Sequence, residues 1–159
     1  MLEACNNRYH LFTEWQFDAP LDLVWDAIFH AEAWPDWWKG AESVVTLERG
    51  DADGLGARQR YIWKGVLPYR LMFVTCVTRV EPLLLLEGRV EGDLEGKGCW
   101  RFLRGQGRTT VRYEWQVRTT KLWMIVLAPL AKPIFRWNHD AVMRAGGVGL
   151  ARHLAARLA

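Results

Sequence analysis

The polar pair Asn138-His139 is where chemistry is first sought, because His139 falls on a helical stripe with Phe135, Val142 and Met143. An imidazole in greasy surroundings has its charged form disfavoured. Such a group can act as a base or hydrogen-bond a ligand carbonyl. The competing reading is a core or helix-capping histidine with a backbone partner, and both stay open. His139 is thus a weak catalytic candidate, and Asn138 and His139 are both ligand-binding ones. Tyr61, Tyr113 and Trp63 can offer O–H or N–H groups to a ligand oxygen. Arg60 and Lys64 flank the same strand. An arginine inside a cavity would hold a carboxylate or phenolate bidentately, whereas strand alternation puts both cations on a wet face.

Other chemistries lack their residues. There is no G-x-S-x-G, no Walker or Rossmann glycine set, no H-E-x-x-H and no Cys/His cluster. Asp51/Asp53 and Glu91/Asp93 fall in turns, which disfavours a glycosidase-like carboxylate pair. The D-x-D-G start at Asp51 lacks the later ligand positions of a calcium loop, so it reads as a turn. No cofactor and no metal are expected. Cys5, Cys76 and Cys99 cannot all pair within the chain, and Cys76 and Cys99 lie in strand patterns as small hydrophobes. A reduced, cytoplasmic setting follows as the expectation.

The chain has 159 residues, half of them apolar, with 10 tryptophans. One domain over 1–159 is the simplest division. Each Trp brings about 150–250 Å² of surface and an N–H that wants a partner. So many wide rings exceed what a small solid core needs, and the excess points to an aromatic-lined cavity for a greasy ligand. Charge is split along the chain. Residues 1–96 hold 9 Lys/Arg against 16 Asp/Glu, and residues 97–159 hold 12 against 2. That asymmetry marks either an anionic partner or two halves pairing across one body. The start, Met1-Leu2-Glu3-Ala4-Cys5, has no basic n-region and no apolar h-region, so no export signal is expected. The most apolar run, Leu122 to Ala131, is about half of a membrane span.

The elements that must position these residues follow from periodicity. Residues 8–17 alternate as a half-buried strand, with Tyr9, Leu11, Thr13, Trp15 and Phe17 on one face. Asp18-Ala19-Pro20 predicts a helix start with Asp18 as cap, and Leu21, Val24, Trp25 and Ile28 form its buried face. Ala31 to Trp38 is a second short segment. Strands are predicted at 44–48, 57–64, 69–81, 83–91, 97–104 and 108–120, with a hairpin at Gly105-Gln106-Gly107. Pairing Gly105 with Arg108 sets Trp100 opposite Tyr113 and Gly98 opposite Trp115, where a glycine leaves room for an indole or a ligand. Pro129 and Pro133 predict a break in 122–134, and a long helix from Ile134 to Leu158. Gly146-Gly147 within it implies close approach to the sheet, since each costs about 1 kcal/mol against Ala.

The order strand, helix pair, six strands and long helix resembles the START-like helix-grip superfamily. In detail it is similar to the bacterial polyketide cyclase/dehydrase-like branch. The resemblance is carried by Ala19-Pro20 with Val24-Trp25, Trp34-Pro35-Asp36-Trp37-Trp38, Gly54-Leu55-Gly56 and Leu67-Pro68-Tyr69. It continues through Gly92-Asp93-Leu94-Glu95-Gly96-Lys97-Gly98-Cys99-Trp100 and Phe135-Arg136-Trp137-Asn138-His139 with Met143-Arg144. Ala145-Gly146-Gly147-Val148-Gly149 departs from it, standing where a more charged Gly-Glu type stretch is expected. The resemblance implies an α+β fold in which a curved antiparallel sheet of about seven strands wraps a long C-terminal helix, with two short helices after the first strand.

On that fold the dry-face aromatics Trp15, Tyr61, Trp63, Phe73, Trp100, Phe102, Tyr113 and Trp115 either line a pocket or fill the core. Trp34, Trp37 and Trp38 either gate the rim or pack on the long helix. The candidate ligand-binding set is Trp34, Trp38, Tyr61, Trp63, Phe73, Trp100, Phe102, Tyr113, Trp115, Phe135, Asn138, His139, Val142 and Met143. Three functions stay open: a carrier of a lipid, quinone or aromatic metabolite, a cyclase or dehydratase acting on a bound polyketide-like chain, and a protein that docks on a membrane surface or partner. The expected partner is a hydrophobic small molecule, with peripheral membrane contact as a further option; nucleic acid is not expected, and the oligomeric state stays open.

Overall fold

The computed structural model describes residues 7–159. Cys5 and the start of the chain, on which the export-signal reading rests, lie outside the described residues. The strands are β1 (Arg8–Phe17), β2 (Ala41–Glu48), β3 (Arg58–Trp63), β4 (Leu71–Glu81), β5 (Leu85–Gly92), β6 (Leu94–Arg104) and β7 (Thr109–Thr119). They form one seven-stranded sheet in the order β1-β7-β6-β5-β4-β3-β2. Every neighbouring pair is antiparallel. Helix α1 (Leu21–Phe29), a 3₁₀ turn (Ala31–Ala33) and α2 (Trp34–Trp37) link β1 to β2. After β7 come α3 (Leu122–Val126) and the long α4 (Ala128–Leu158). This is the expected helix-grip arrangement.

The predicted β6–β7 register holds. Gly105 N–H bonds the Arg108 carbonyl, Trp100 pairs with Tyr113, and Gly98 pairs with Trp115. Two strands start earlier than predicted. Ala41 pairs with Trp63, and the Lys64 amide bonds the Gly40 carbonyl, so β2 runs from Ala41 rather than Val44. The Asp93 carboxylate accepts the Met72 amide at 2.8 Å, which turns the chain tightly enough for β6 to start at Leu94 rather than residue 97.

Two helix expectations are corrected. Asp18 is not the cap of α1. Pro20 occupies that position in extended geometry, and Asp18 pairs with Arg108 at 3.0 Å. The break in 122–134 falls at Leu127, but the helix resumes at Ala128 rather than Ile134. Pro129 lies in the first turn, where an N–H has no helical partner anyway. Pro133 forfeits one bond near that end, which the packed remainder of α4 tolerates.

The inner residues of α4 and the concave sheet face share one core. Leu150 and Leu154 are sealed in it, with Val24 and Ile28 of α1. Of the Gly146-Gly147 pair, Gly147 makes the expected approach to the sheet, whereas Gly146, with Gly149 beyond it, serves a different neighbour. A Cβ on Gly147 would meet Trp15 of β1 at 3.0 Å, so that approach is to the sheet. A Cβ on Gly146 would lie 2.4 Å from the Trp38 ring, and one on Gly149 would lie 1.8 Å from the Trp37 carbonyl. The departure at Ala145–Gly149 is therefore a seat for the helix-pair segment. Among the described residues, no helix is long and apolar enough to cross a membrane.

Candidate functional site

Between α4 and the concave sheet lies a cavity of about 640 Å³, within the usual range for small-molecule sites. Its mid-section is aromatic. Alternation on β3, β4, β6 and β7 points Tyr61, Phe73, Trp100, Tyr113 and Trp115 inward. Trp100 stacks on Tyr113 with ring centroids 3.9 Å apart, and Tyr61 stacks on Phe73 at 5.5 Å. Gly98 makes the first of these positions usable. A Cβ there would meet both the Trp115 ring and the Tyr113 hydroxyl at 2.8 Å, so the missing side chain is the space those groups occupy.

One end of the cavity is polar and open. There the tail of α1 faces the β2–β3 loop, and the exposed lining residues His30, Glu32, Arg49, Asp51 and Ala52 form its rim. The two sides touch closely, since a Cβ on Gly54 would lie 2.8 Å from the Phe29 ring. Asp51 also ties its own loop by accepting the amides of Asp53 and Leu55 at 2.9 Å, so the D-x-D-G segment is a turn. At the other end of the strands, Tyr9, Tyr69, Thr119, Met124 and Phe135 close the space beneath α3. Phe135 is edge-on to Tyr9 at 6.4 Å and to Tyr69 at 6.0 Å.

Most of the candidate set meets at this cavity. Trp34, Trp38, Tyr61, Trp63, Phe73, Trp100, Tyr113, Trp115, Phe135, Asn138, His139, Val142 and Met143 all line it. Phe102 does not. It is buried under α1, edge-on to Trp25 at 4.9 Å, because β6 has by then run past the cavity. Trp15 is also outside the wall; its Nε1 donates to the Met143 carbonyl at 3.1 Å. The rim reading of the Trp34–Trp38 segment is corrected too. Trp38 Nε1 donates to the Val142 carbonyl at 2.8 Å, and Trp37 stacks on Trp38. All three rings are buried, so this segment is a wall plate clamped to α4. The rim residues on the α1 tail and the β2–β3 loop were missed because exposed polar residues in turns carry no periodic signal.

The polar groups divide by how much freedom they keep. Asn138 is committed: its Oδ1 accepts the amides of Val66 at 2.8 Å and Leu67 at 3.3 Å, pinning the β3–β4 loop to α4. Tyr61 donates to Gln59 Oε1 at 2.9 Å. Arg60 and Lys64 are exposed and do not line the cavity. Burial raises the phenols of Tyr61 and Tyr113, and that of Tyr69 to about 12, so all three keep their protons at neutral pH. His139 is different. Its Nδ1 is buried with no hydrogen-bond partner, the Asp140 carboxylate standing 3.6 Å away, beyond bonding distance. Burial lowers its pKa from the ordinary 6.5, outweighing the Asp140 carboxylate, which acts in the other direction. A neutral imidazole therefore stands in an apolar wall.

The family described as polyketide cyclase/dehydrase and lipid transport matches residues 17–145. No curated protein matches the sequence significantly. Among solved structures, a START superfamily protein from Mycobacterium smegmatis is 12% identical, with TM-score 0.74, covering 92% of this chain and 97% of that one. TTHA0849 from Thermus thermophilus is 18% identical, with TM-score 0.70, covering 91% and 99%. The Zhui aromatase/cyclase from Streptomyces sp. R1128 is 17% identical, with TM-score 0.65, covering 94% and 93%. At such identities the likeness is one of fold.

Proposed function

Because the chain belongs to the polyketide cyclase/dehydrase and lipid transport family, we propose that it holds a hydrophobic small molecule (a lipid, a quinone or an aromatic, polyketide-like metabolite) in the cavity between α4 and the sheet. The observation that carries this reading is the distribution of charge around that space. Glu32, Arg49 and Asp51 stand at the exposed rim, and the remaining acidic lining residue, Glu87, has its carboxylate beside the Cys99 thiol. The mid-section is rings. Such a wall favours an uncharged, flat or flexible apolar ligand, since a buried ion would lack a partner. Neutral phenols at Tyr69 and Tyr113 offer O–H groups to an oxygen on it.

Native mass spectrometry of gently purified protein tests the proposal. A non-covalent adduct of apolar character, released by organic solvent and displaced by a hydrophobic dye, is expected. Protein that carries no adduct and binds no such dye would defeat it.

A second reading is favoured by one residue. The neutral imidazole of His139, whose buried Nδ1 has no hydrogen-bond partner, is suited to accept a proton from the acidic carbon between two carbonyls of a bound chain, the step that opens an aldol ring closure. His139→Gln separates the readings. A carrier keeps most of its affinity, whereas a cyclase using this base loses about 10²–10⁴-fold in rate.

A further inference from the structure

Sequence and burial disagree at one place on the surface. Leu122, Val126 and Leu130 are 75%, 68% and 82% exposed, and Trp123, Leu127, Ile134 and Trp137 are also exposed. On α4, Leu130, Ile134 and Trp137 follow at i, i+4, i+7 and so share one outward face. Val66, 63% exposed, lies in the β3–β4 loop that Asn138 pins to the same helix. Other exposed apolar residues, such as Phe12 and Leu103, are scattered on sheet strands and need no explanation. A contiguous apolar face of this kind marks an interaction site.

We propose that this face of α3 and the first turns of α4 docks on an anionic lipid surface. Three observations select that occupant. No carboxylate occurs from Lys121 through His139, while Lys121, Lys132 and Arg136 do, so the apolar face has basic neighbours alone along the chain. Lys121 is held by Asp93 at 3.5 Å, and Lys132 sits over the Tyr9 ring, which leaves exposed Arg136 as the main outward cation. The face carries two tryptophans, a residue type suited to the boundary between headgroups and acyl chains. A second copy fits less well, because the same face on it brings no carboxylate from 121 to 139 to pair with Arg136. The third observation is continuity with the cavity. The Trp123 ring lies 5.4 Å from Tyr69 and 6.0 Å from Phe135, both wall residues, and Met124 of the same helix lines the space from within. α3 is thus a thin partition with apolar surface on both sides, and docking places the closed end of the cavity against the bilayer.

Vesicle co-sedimentation of the whole chain tests this, and it needs no knowledge of what the cavity holds. Vesicles of phosphatidylcholine alone are compared with vesicles containing a third phosphatidylglycerol. The protein is expected to partition onto the anionic vesicles and to be released as salt rises. Leu130→Asp forfeits burial of an almost fully available side chain and is expected to weaken partitioning by about tenfold or more. Arg136→Gln is expected to lose about fivefold on anionic vesicles and little on neutral ones. Phe12→Ser, a change at another exposed apolar residue, on the sheet, should bind as the parent does. Near-ultraviolet circular dichroism verifies that each variant is folded. Partitioning that Leu130→Asp leaves intact overturns the proposal. So does the absence of any preference for anionic vesicles, or a dimer that Leu130→Asp dissociates, which would assign the face to a second copy.

Discussion

Replacing single glycines of α4 by alanine sets two effects in opposition, and the sign of the outcome decides between them. Helix propensity favours each substitution by about 1 kcal/mol. Packing opposes it by an amount that the structure grades. At Gly146 the new methyl would lie 2.4 Å from Cε2 of Trp38, and ordinary carbon contacts need about 3.5–4 Å. The indole must move by about an ångström. It has little room to do so, being 2% exposed, packed on Trp34 and Trp63 at about 5 Å, and bonded through Nε1 to the Val142 carbonyl. Overpacking costs about 1–3 kcal/mol and a strained or lost hydrogen bond about 1 more, so Gly146→Ala should destabilise by about 1–3 kcal/mol net. At Gly149 the obstacle is the Trp37 carbonyl at 1.8 Å, a backbone atom that no rotamer change can move, and the loss should reach about 3 kcal/mol or more. At Gly147 the nearest atom is Trp15 Nε1 at 3.0 Å, so gain and loss should nearly cancel, within about 1 kcal/mol. Urea melts followed by circular dichroism give the three values, and in thermal melts each kcal/mol corresponds to about 2–4 °C at this chain length. The order Gly149 above Gly146 above Gly147 is expected. Three variants each about 1 kcal/mol more stable than the parent would refute the account of how α4 seats the Trp37-Trp38 plate.

Trp100 both packs and lines, so Trp100→Ala should cost about 3–5 kcal/mol and also weaken binding of a hydrophobic dye; stability lost with dye affinity unchanged would remove it from the binding wall. His139 gives a pH signature. Its folded pKa is lowered by burial, so the unfolded chain binds the proton more readily. The contribution of this group to stability should be full above the unfolded value of about 6.5 and should decline as pH falls towards the folded value. His139→Gln should flatten that part of the stability profile, and an NMR titration placing His139 at or above its ordinary pKa would contradict the buried, unpaired geometry.

Much of this protein is legible in its residues. Period-two alternation placed β1, β3 and β7 within about a residue, because one face of each must be dry and the other wet. The Gly105–Arg108 hairpin carried the β6–β7 register, and with it the pairing of Gly98 with Trp115, because a one-residue slip would turn every inward ring outward. Periodicity also put Phe135, His139, Val142 and Met143 on one stripe of α4, and that stripe does face the cavity. What periodicity cannot carry is how far along an element a third partner reaches. Phe102 shares its strand face with Trp100, yet it lies under α1 rather than at the cavity, because the helix pair covers that end of the sheet. Asn138 has the same chemistry in the sequence whether it meets a ligand or a loop. Only the fold brings the Val66 and Leu67 amides to it. The same holds for Trp38, whose indole N–H finds the Val142 carbonyl across 104 residues, where Gly146 and Gly149 of α4 make room. A side chain's type and period are local properties of the chain, whereas the partner that satisfies its polar atom is a non-local contact that exists only once the layers have packed.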